Sequence, residues 1–377
     1  MKAFGLDELQ VLGDISGTLG EVLTALEKTP KDPSWPDQSL LKIAVEESTK
    51  DLNKSLQTLE KQTGSLLSSA AKGKDYGEGA QKVFHAWDNN KNPPPLLSLC
   101  LYAFEKTGLK PDETDLAMLI MMSILGQIKN DLPYHSDMHF RKVVAQVGTM
   151  IVAHQNLHRD RKYAFSAKQM CMLLGAACIH DLDHDGKGNV IKGLLIPGRA
   201  EKRAFMLAEP YMEAVGVDEK TLNEILVMIL STDVLPLNDP TNSVQQMKAA
   251  YRYHFMGENK GVYALNLSEE LSAMESNPYL TLMSLILHEA DISTSAALTY
   301  EVTKYETALL MDEYRRDHAY PEDVVNFLEQ ICDCCFLTEV GKVLYQQNIE
   351  HIYACAKADF ENGNKPYPTA QASDYLK

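Results

Sequence analysis

Apolar residues recur every three or four positions along almost the whole chain, and no segment alternates strictly between apolar and polar residues. In the first segment they stand at Leu19, Val22, Leu23 and Leu26, which places them on one face of a helix. A half-buried strand would need a period of two, so the pattern argues against a sheet-based core. The sequence therefore predicts an all-α fold, with a compact multi-helix domain preceded by a small N-terminal helical segment.

A small, polar and glycine-containing stretch at 69–79 interrupts the helical pattern. We expect a domain boundary there, with an N-terminal helical hairpin over 1–75 and a larger domain over 76–377. Four apolar residues of the hairpin stand seven apart, at Val45, Leu52, Leu59 and Leu66. A heptad seam of this kind suits a homodimer contact or a regulatory element, and it equally suits packing on the chain's own surface.

The balance of charge limits the classes of partner. The formal net charge is −16, from 36 basic and 52 acidic residues. Nucleic-acid polymers and anionic membranes both attract basic surfaces, so neither is an expected partner. The longest apolar run, at 116–128, is too short to cross a bilayer, and the first residues lack the apolar segment of a secretory signal. The seven cysteines follow no disulfide framework, so we expect reduced thiols in a cytoplasmic protein.

One stretch concentrates ionisable side chains beside an apolar helix. The segment CIHDLDHDGKGN, at 178–189, follows MCMLLGAA directly. Charged groups next to a core are costly unless something pairs with them, and a metal ion is one such partner. His180 and Asp181 are adjacent, so both can reach an ion at the end of the helix. Imidazole and carboxylate together suit zinc, manganese or iron.

Two further segments offer donors of the same kind. His139 ends the segment YHSDMH, and Asp291 lies in ILHEADIST after an apolar helix. With His180 and Asp181 they would supply two nitrogen and two oxygen ligands, which is a reasonable open metal site. His135 stands one helical turn before His139, where it can act as an acid or base rather than as a ligand.

These motifs resemble those of the class I cyclic nucleotide phosphodiesterases, which belong to the HD superfamily of metal-dependent phosphohydrolases. YHSDMH at 134–139 is similar to the family's Y-H-N-x-x-H, and HDLDHDGKGN at 180–189 matches H-D-x-D-H-x-G-x-x-N at every fixed position. STDV at 231–234 is similar to a T-D-M segment, and ADIS at 290–293 matches A-D-[IL]-S. The motifs occur in the family's order, and the resemblance covers roughly residues 80–350.

The resemblance implies hydrolysis of cyclic AMP or cyclic GMP to the 5′-nucleotide with two divalent metal ions. His139, His180, Asp181 and Asp291 would hold the tighter ion, usually zinc. Asp181 would also bridge to a second, more hydrated ion, usually magnesium or manganese. A hydroxide between the ions would attack phosphorus, and His135 would protonate the departing 3′ oxygen as the general acid.

The resemblance also implies roles around these groups. Glu201 is the candidate for the glutamate that orients His135, while His184 and Asn189 would surround the metal ligands and form the cavity wall. The residues expected to line the substrate pocket are Tyr134, Asp233, Val234, Gln330 and Phe336. Asp233 can alternatively be a helix-capping carboxylate beside a threonine.

The sequence departs from the family pattern at several positions. Ser136 stands where the family has asparagine, and Lys142 falls where an aspartate is usual. The family grips the purine with a glutamine and a phenylalanine three residues apart, whereas Gln330 and Phe336 are six apart. Two alternatives therefore stay open: an HD-type phosphohydrolase that acts on another nucleotide or phosphoester, and a nucleotide-binding regulatory protein without turnover.

Overall fold

The computed structural model describes residues 15–29, 38–63, 72–89, 93–158, 162–237, 239–258 and 265–368. Over these ranges the chain is almost entirely helical, which confirms the all-α prediction. The α-helices are α1 (Ile15–Lys28), α2 (Gln38–Thr49), α3 (Leu52–Thr63), α4 (Gly73–Asp88), α5 (Leu96–Thr107), α6 (Glu113–Gly126), α7 (Asp137–Leu157), α8 (Ala167–Ile179), α9 (Arg199–Ala214), α10 (Glu219–Leu230), α11 (Ser243–Tyr251), α12 (Pro278–Ala296), α13 (Tyr300–Glu313), α14 (Pro321–Gln330) and α15 (Glu339–Glu361).

Three short elements complete the fold. A π-helical turn at Arg252–Met256 extends α11, and a 3₁₀ helix at Glu269–Glu275 precedes α12. The strands β1 (Val190–Ile191) and β2 (Leu194–Leu195) form an antiparallel hairpin, which is the only sheet in the described ranges. None of the helices in this part of the chain is both long and apolar enough to cross a membrane.

Side-chain caps fix where several helices begin. The capping side chains, each of which accepts a backbone N–H of the first turn, are Asp112, Ser166, Asp218, Asn242, Asn277, Thr299 and Thr338. At the start of α8, Ser166 and Gln169 form a complete capping box. A cap of this kind stabilises a helix by about 1 kcal/mol. Helix α8 has thirteen residues, and His180 directly follows its last residue.

Helices α6 and α8 form the centre of the core. Both are buried on all sides over most of their length, as expected for helices whose apolar residues show no single face. They pack closely, because a Cβ atom at Gly126 would lie 2.0 Å from the carbonyl oxygen of Cys178. Helix α7 packs on α5, α8 and α12, so the ends of α7, α8 and α12 that carry the predicted ligands converge.

The N-terminal helices pack on the rest of the chain. Helix α1 contacts α6 and α9, α2 contacts α5 and α6, and α3 contacts α5. Leu52 and Leu59 of the heptad seam are buried in the same continuous core as α6 and α8, while Leu66 lies outside the described residues. The predicted boundary after residue 75 falls inside α4. Part of the heptad seam therefore packs within the chain itself. The homodimer stays a prediction.

Candidate metal centre

Four predicted ligand atoms converge where α7, α8 and α12 meet. Nε2 of His139 lies 3.2 Å from Oδ1 of Asp291 and 3.6 Å from Oδ2 of Asp181. Nε2 of His180 lies 3.1 Å from the same Asp181 oxygen and 3.9 Å from the same Asp291 oxygen. Metal–ligand distances of about 2.0–2.2 Å in a tetrahedral site give ligand separations of about 3.3–3.6 Å, so the cluster has the dimensions of a metal site.

The histidine nitrogens are prepared for a metal ion. Nδ1 of His180 donates a hydrogen bond to the carbonyl of Ala177 at 2.9 Å, which leaves the lone pair on Nε2. Nε2 of His180 and Nε2 of His139 are buried. Each lies within 3.2 Å of a carboxylate oxygen, but neither has a partner with hydrogen-bond geometry among the described residues. Buried polar atoms without a partner are rare because they lose hydration without compensation. A divalent cation at the cluster would satisfy both nitrogens, so the residues present fit one.

The negative charge of the two carboxylates in the cluster also favours a bound cation. Burial lowers the pKa of His180, but Asp181 and Asp291 outweigh burial and raise it to about 9. Two carboxylates beside two buried imidazoles thus attract positive charge, which a proton supplies when no cation is bound. A divalent cation would displace that proton, as metal ligands must be deprotonated to bind.

A second group of donors adjoins the first. His135, Asp181 and His184 each offer an atom, and these atoms lie within 4.8 Å of one another. Oδ2 of Asp181 also lies 3.6 and 3.1 Å from Nε2 of His139 and of His180, so this carboxylate adjoins the first group as well, which fits a carboxylate between two ions. His184 was expected only around the ligands, but the structure places it in this donor group. Burial and the neighbouring His135 lower the pKa of His184 to about 4, so its imidazole is neutral and able to bind an ion.

The loop that carries these residues is tied to α9. Asp183 has a left-handed backbone conformation, with φ of 58°, and Nε of Arg203 donates to its carboxylate at 2.8 Å. Arg199 donates to the carbonyl of Gly188 at 2.6 Å and pairs with Asp185. The two arginines hold the loop after α8 in a turn, so Asp181 and His184 both face the centre.

Glu313 orients His135. Its Oε2 accepts the backbone N–H groups of Tyr134 and His135 at 3.1 and 3.0 Å, and its Oε1 accepts Nδ1–H of His135 at 2.6 Å. Burial alone would lower the pKa of His135, but the hydrogen bond to Glu313 and the charges of Asp181 and Asp291 raise it. His135 is therefore held with Nε2 free and with its protonated form favoured, as a general acid requires.

The prediction that Glu201 orients His135 is wrong. Oε2 of Glu201 accepts Nδ2–H of Asn189 at 3.0 Å, and Asn189 also accepts the backbone N–H of Ala200. Burial, then the charge of Asp233, raises the pKa of Glu201 to about 7. Glu201 and Asn189 therefore form a buried polar cluster at the start of α9. A place for Asn189 in the cavity wall stays a prediction.

Asp233 and Val234 lie beside this cluster. The two oxygens of Asp233 accept the backbone N–H groups of Gly198 and Leu235, at 2.7 and 2.9 Å. Asp233 thus fixes the turn before α9 without capping a helix in the predicted way, and its contact with substrate stays a prediction. The carbonyl of Val234 accepts Nδ2–H of Asn242 at 2.6 Å, and substrate contact by Val234 stays a prediction.

Tyr134 lies beside two histidines of the centre, while its contact with substrate stays a prediction. Its ring packs against His135 and His139, with centroid distances of 4.8 and 4.9 Å, and its hydroxyl is 2.8 Å from Oγ of Ser295. Burial, with the charges of Asp291 and Glu306, raises its pKa well above the usual value, so the hydroxyl stays neutral. By packing against both rings, Tyr134 restricts the movement of His135 and His139.

Gln330 and Phe336 do not form a purine clamp, a question that their spacing of six residues had left open. Phe336 is 1% exposed and packs on Tyr345 in the core, at a centroid distance of 5.1 Å. Gln330 is the last residue of α14 and contacts Asn326 on the same helix. A buried phenylalanine cannot stack on a nucleobase, so the prediction that Phe336 lines the substrate pocket is wrong, while substrate contact by Gln330 stays a prediction.

A scan of protein-family models finds no match to this chain, and a search of curated proteins finds none either.

Proposed function

We propose that the chain is a metal-dependent phosphodiesterase that hydrolyses a 3′,5′-cyclic nucleotide, cyclic AMP or cyclic GMP, to the 5′-nucleotide. The observation that carries the proposal is the cluster of four donor atoms next to a histidine that a buried glutamate holds by Nδ1. The resemblance of four sequence motifs to class I cyclic nucleotide phosphodiesterases supports the choice of substrate. A cytoplasmic location belongs to the proposal, because all seven cysteines are free thiols.

The two donor groups suit different ions. The group of His139, His180 and Asp291, with Oδ2 of Asp181 3.1–3.6 Å from the two imidazoles, would hold zinc. A second ion, magnesium or manganese, would be held beside Asp181 mainly by water, which leaves His135 unbound as the acid. Such ions supply Lewis-acid polarisation of the phosphoryl oxygens and lower the pKa of the attacking water.

The residues of the chain would then perform the proton transfer. As the bond between phosphorus and the 3′ oxygen breaks, Nε2–H of His135 gives its proton to that oxygen. Glu313 stabilises the imidazolium before the transfer, and Tyr134 keeps the ring from rotating away. Water restores the proton to His135 after the product leaves, which closes the cycle.

One observation favours a second candidate function. Without the clamp of Gln330 and Phe336, nothing among the predicted pocket residues selects a purine. An HD-type phosphohydrolase for another nucleotide or phosphoester would use the same ions and the same acid. A regulatory protein that binds nucleotide without turnover is the remaining alternative.

One assay separates these functions. Purified protein is given cyclic AMP, cyclic GMP and a panel of other phosphoesters, each with added Mg²⁺ or Mn²⁺ and with a chelator as the control. Metal-dependent release of the 5′-nucleotide is the expected result. Turnover only of other phosphoesters would favour the second candidate. Nucleotide binding by calorimetry without any product would favour the regulatory protein.

A further inference from the structure

Lys142 is a buried cation between two acids. It lies one turn after His139 in α7 and is 3% exposed. Its Nζ lies 2.9 Å from Oε1 of Glu306 in α13 and 3.2 Å from Oδ2 of Asp88 at the end of α4. Burial lowers the pKa of Lys142, but the two carboxylates outweigh burial and raise it above the usual value. The side chain therefore stays charged and holds three helices together.

The ion pair of Lys142 with Glu306 has the same spacing along the chain as the pair of His135 with Glu313. Glu306 and Glu313 are seven residues apart, so they lie on the same face of α13, about 10.5 Å apart along its axis. Their partners, Lys142 and His135, are also seven residues apart and run in the opposite direction. Two polar links, His135–Glu313 and Lys142–Glu306, therefore join α13 to α7 and to the loop before it.

The two links differ in what they attach. Glu313 contacts Tyr134 and His135, which precede the first residue of α7 and belong to a loop. Glu306 contacts Lys142, which lies within the regular part of α7. Helix α13 also packs on α12, α14 and α15. The second link adds a direct tie between α13 and the regular part of α7, whereas the first link reaches only a loop, which can move with α13.

We propose that Lys142 is a positioning residue, whose ion pair with Glu306 sets α13 against α7 and so keeps Glu313 on His135. The consequence for the reaction rate rests on the proposed function, whereas the consequence for the hydrogen bond does not. Where the resembling family has an aspartate at this position, the present chain uses a cation and its own pair of acids.

The test breaks the link without leaving a buried charge unpaired. In Glu306→Gln, Lys142 keeps its contact with Asp88, so the protein should fold. Lys142→Met is the complementary variant, although it leaves the buried Glu306 and the half-buried Asp88 without a cation. Lys248→Met is the matched control. Lys248 is also 3% exposed and pairs with Asp333 at 2.8 Å, but neither of these residues belongs to α7 or α13.

The first readout is the proton NMR signal of Nδ1–H of His135, which a short hydrogen bond to a carboxylate moves downfield of the amide region. Its assignment comes from its loss in His135→Asn. Glu306→Gln should shift or broaden this signal, while Lys248→Met should leave it unchanged. An unchanged signal in folded Glu306→Gln would overturn the proposal, whether or not the protein is an enzyme.

The second readout is steady-state kinetics on the substrate found in the assay above. Glu306→Gln should lower kcat by about 10- to 100-fold with KM unchanged, because misplacement of a reacting group by about 1 Å costs that much. A raised KM with kcat unchanged would overturn the positioning role. If no phosphoester is turned over, the proposed function fails, and the NMR signal alone still decides the role of Lys142.

Discussion

Substitution of Glu313 by glutamine removes one charge and almost no volume. The carboxylate accepts three hydrogen bonds, from the backbone N–H groups of Tyr134 and His135 and from Nδ1–H of His135. A glutamine has one acceptor oxygen and one NH₂ group in the same place. If the oxygen stays with the backbone amides, the NH₂ group faces Nδ1 of His135, which must then give up its proton.

The size of the effect follows from this exchange. Hydrogen bonds to a charged group contribute about 1.5–3 kcal/mol each, and the 2.6 Å bond to Nδ1 is lost. The imidazolium form of His135 also loses its counter-charge. We expect kcat to fall by about 10²- to 10⁴-fold, the contribution of a general acid, which corresponds to about 3–5 kcal/mol.

The assay is the pH dependence of metal-activated hydrolysis by wild type and Glu313→Gln. Glu313 raises the pKa of His135, and the acid must be protonated to act, so activity falls as pH rises through that pKa. The alkaline limb of the variant should therefore move to lower pH. Metal content should be unchanged, because Glu313 lies in neither donor group.

Asp312→Asn is the matched control. Asp312 is the neighbouring acid on α13 and is exposed, so its loss should change the activity and the stability very little. Wild-type kcat and an unmoved alkaline limb in Glu313→Gln would refute the reasoning, because another group would then protonate the leaving oxygen.

Three further outcomes are expected. Asp181→Ala should lose the ions of both donor groups and essentially all activity, and stoichiometric metal by elemental analysis would contradict the bridging role. Gly341→Ala should cost about 1–3 kcal/mol in urea unfolding, since its Cβ would lie 2.3 Å from Oε2 of Glu289, whereas Gly20→Ala, in open space, should gain about 0.5–1 kcal/mol. Burial lowers the pKa of His154 to about 4, so below pH 6.5 the unfolded chain binds a proton that the fold does not. Between pH 7 and pH 5, wild type should thus lose about 2 kcal/mol more stability than His154→Phe, and equal losses would contradict this.

The helical fold and the four converging ligands could be predicted because each depends on a local pattern. His139, His180, Asp181 and Asp291 stand in short motifs beside apolar helical sequence, where an ionisable group needs a partner. Glu313 could not be found in this way. It stands in the polar run MDEYRRD, as a solvated acid would, and its partner His135 is 178 residues away.

The wrong prediction that Phe336 lines the substrate pocket has a physical cause. Glu289 is buried, and its Oε1 accepts the backbone N–H groups of Leu337 and Thr338, at 2.6 and 3.0 Å. This carboxylate holds the start of α15, where the positive end of the helix dipole favours an anion. Phe336 is thereby drawn into the core. The sequence shows that Gln330 and Phe336 are six residues apart. It does not show that Glu289 fixes the backbone directly after Phe336.

Helix α6 lies between the centre of the fold and the N-terminal helices. Its inner side packs on α8, which leads into His180, and α1 and α2 cover other parts of it. A fragment cut near residue 75 would expose leucine, isoleucine and methionine side chains that are almost fully buried in the whole chain. Large exposed apolar surfaces promote self-association, so such a fragment would aggregate. The N-terminal helices therefore cover apolar surface of the larger part of the chain, which we expect to self-associate without them.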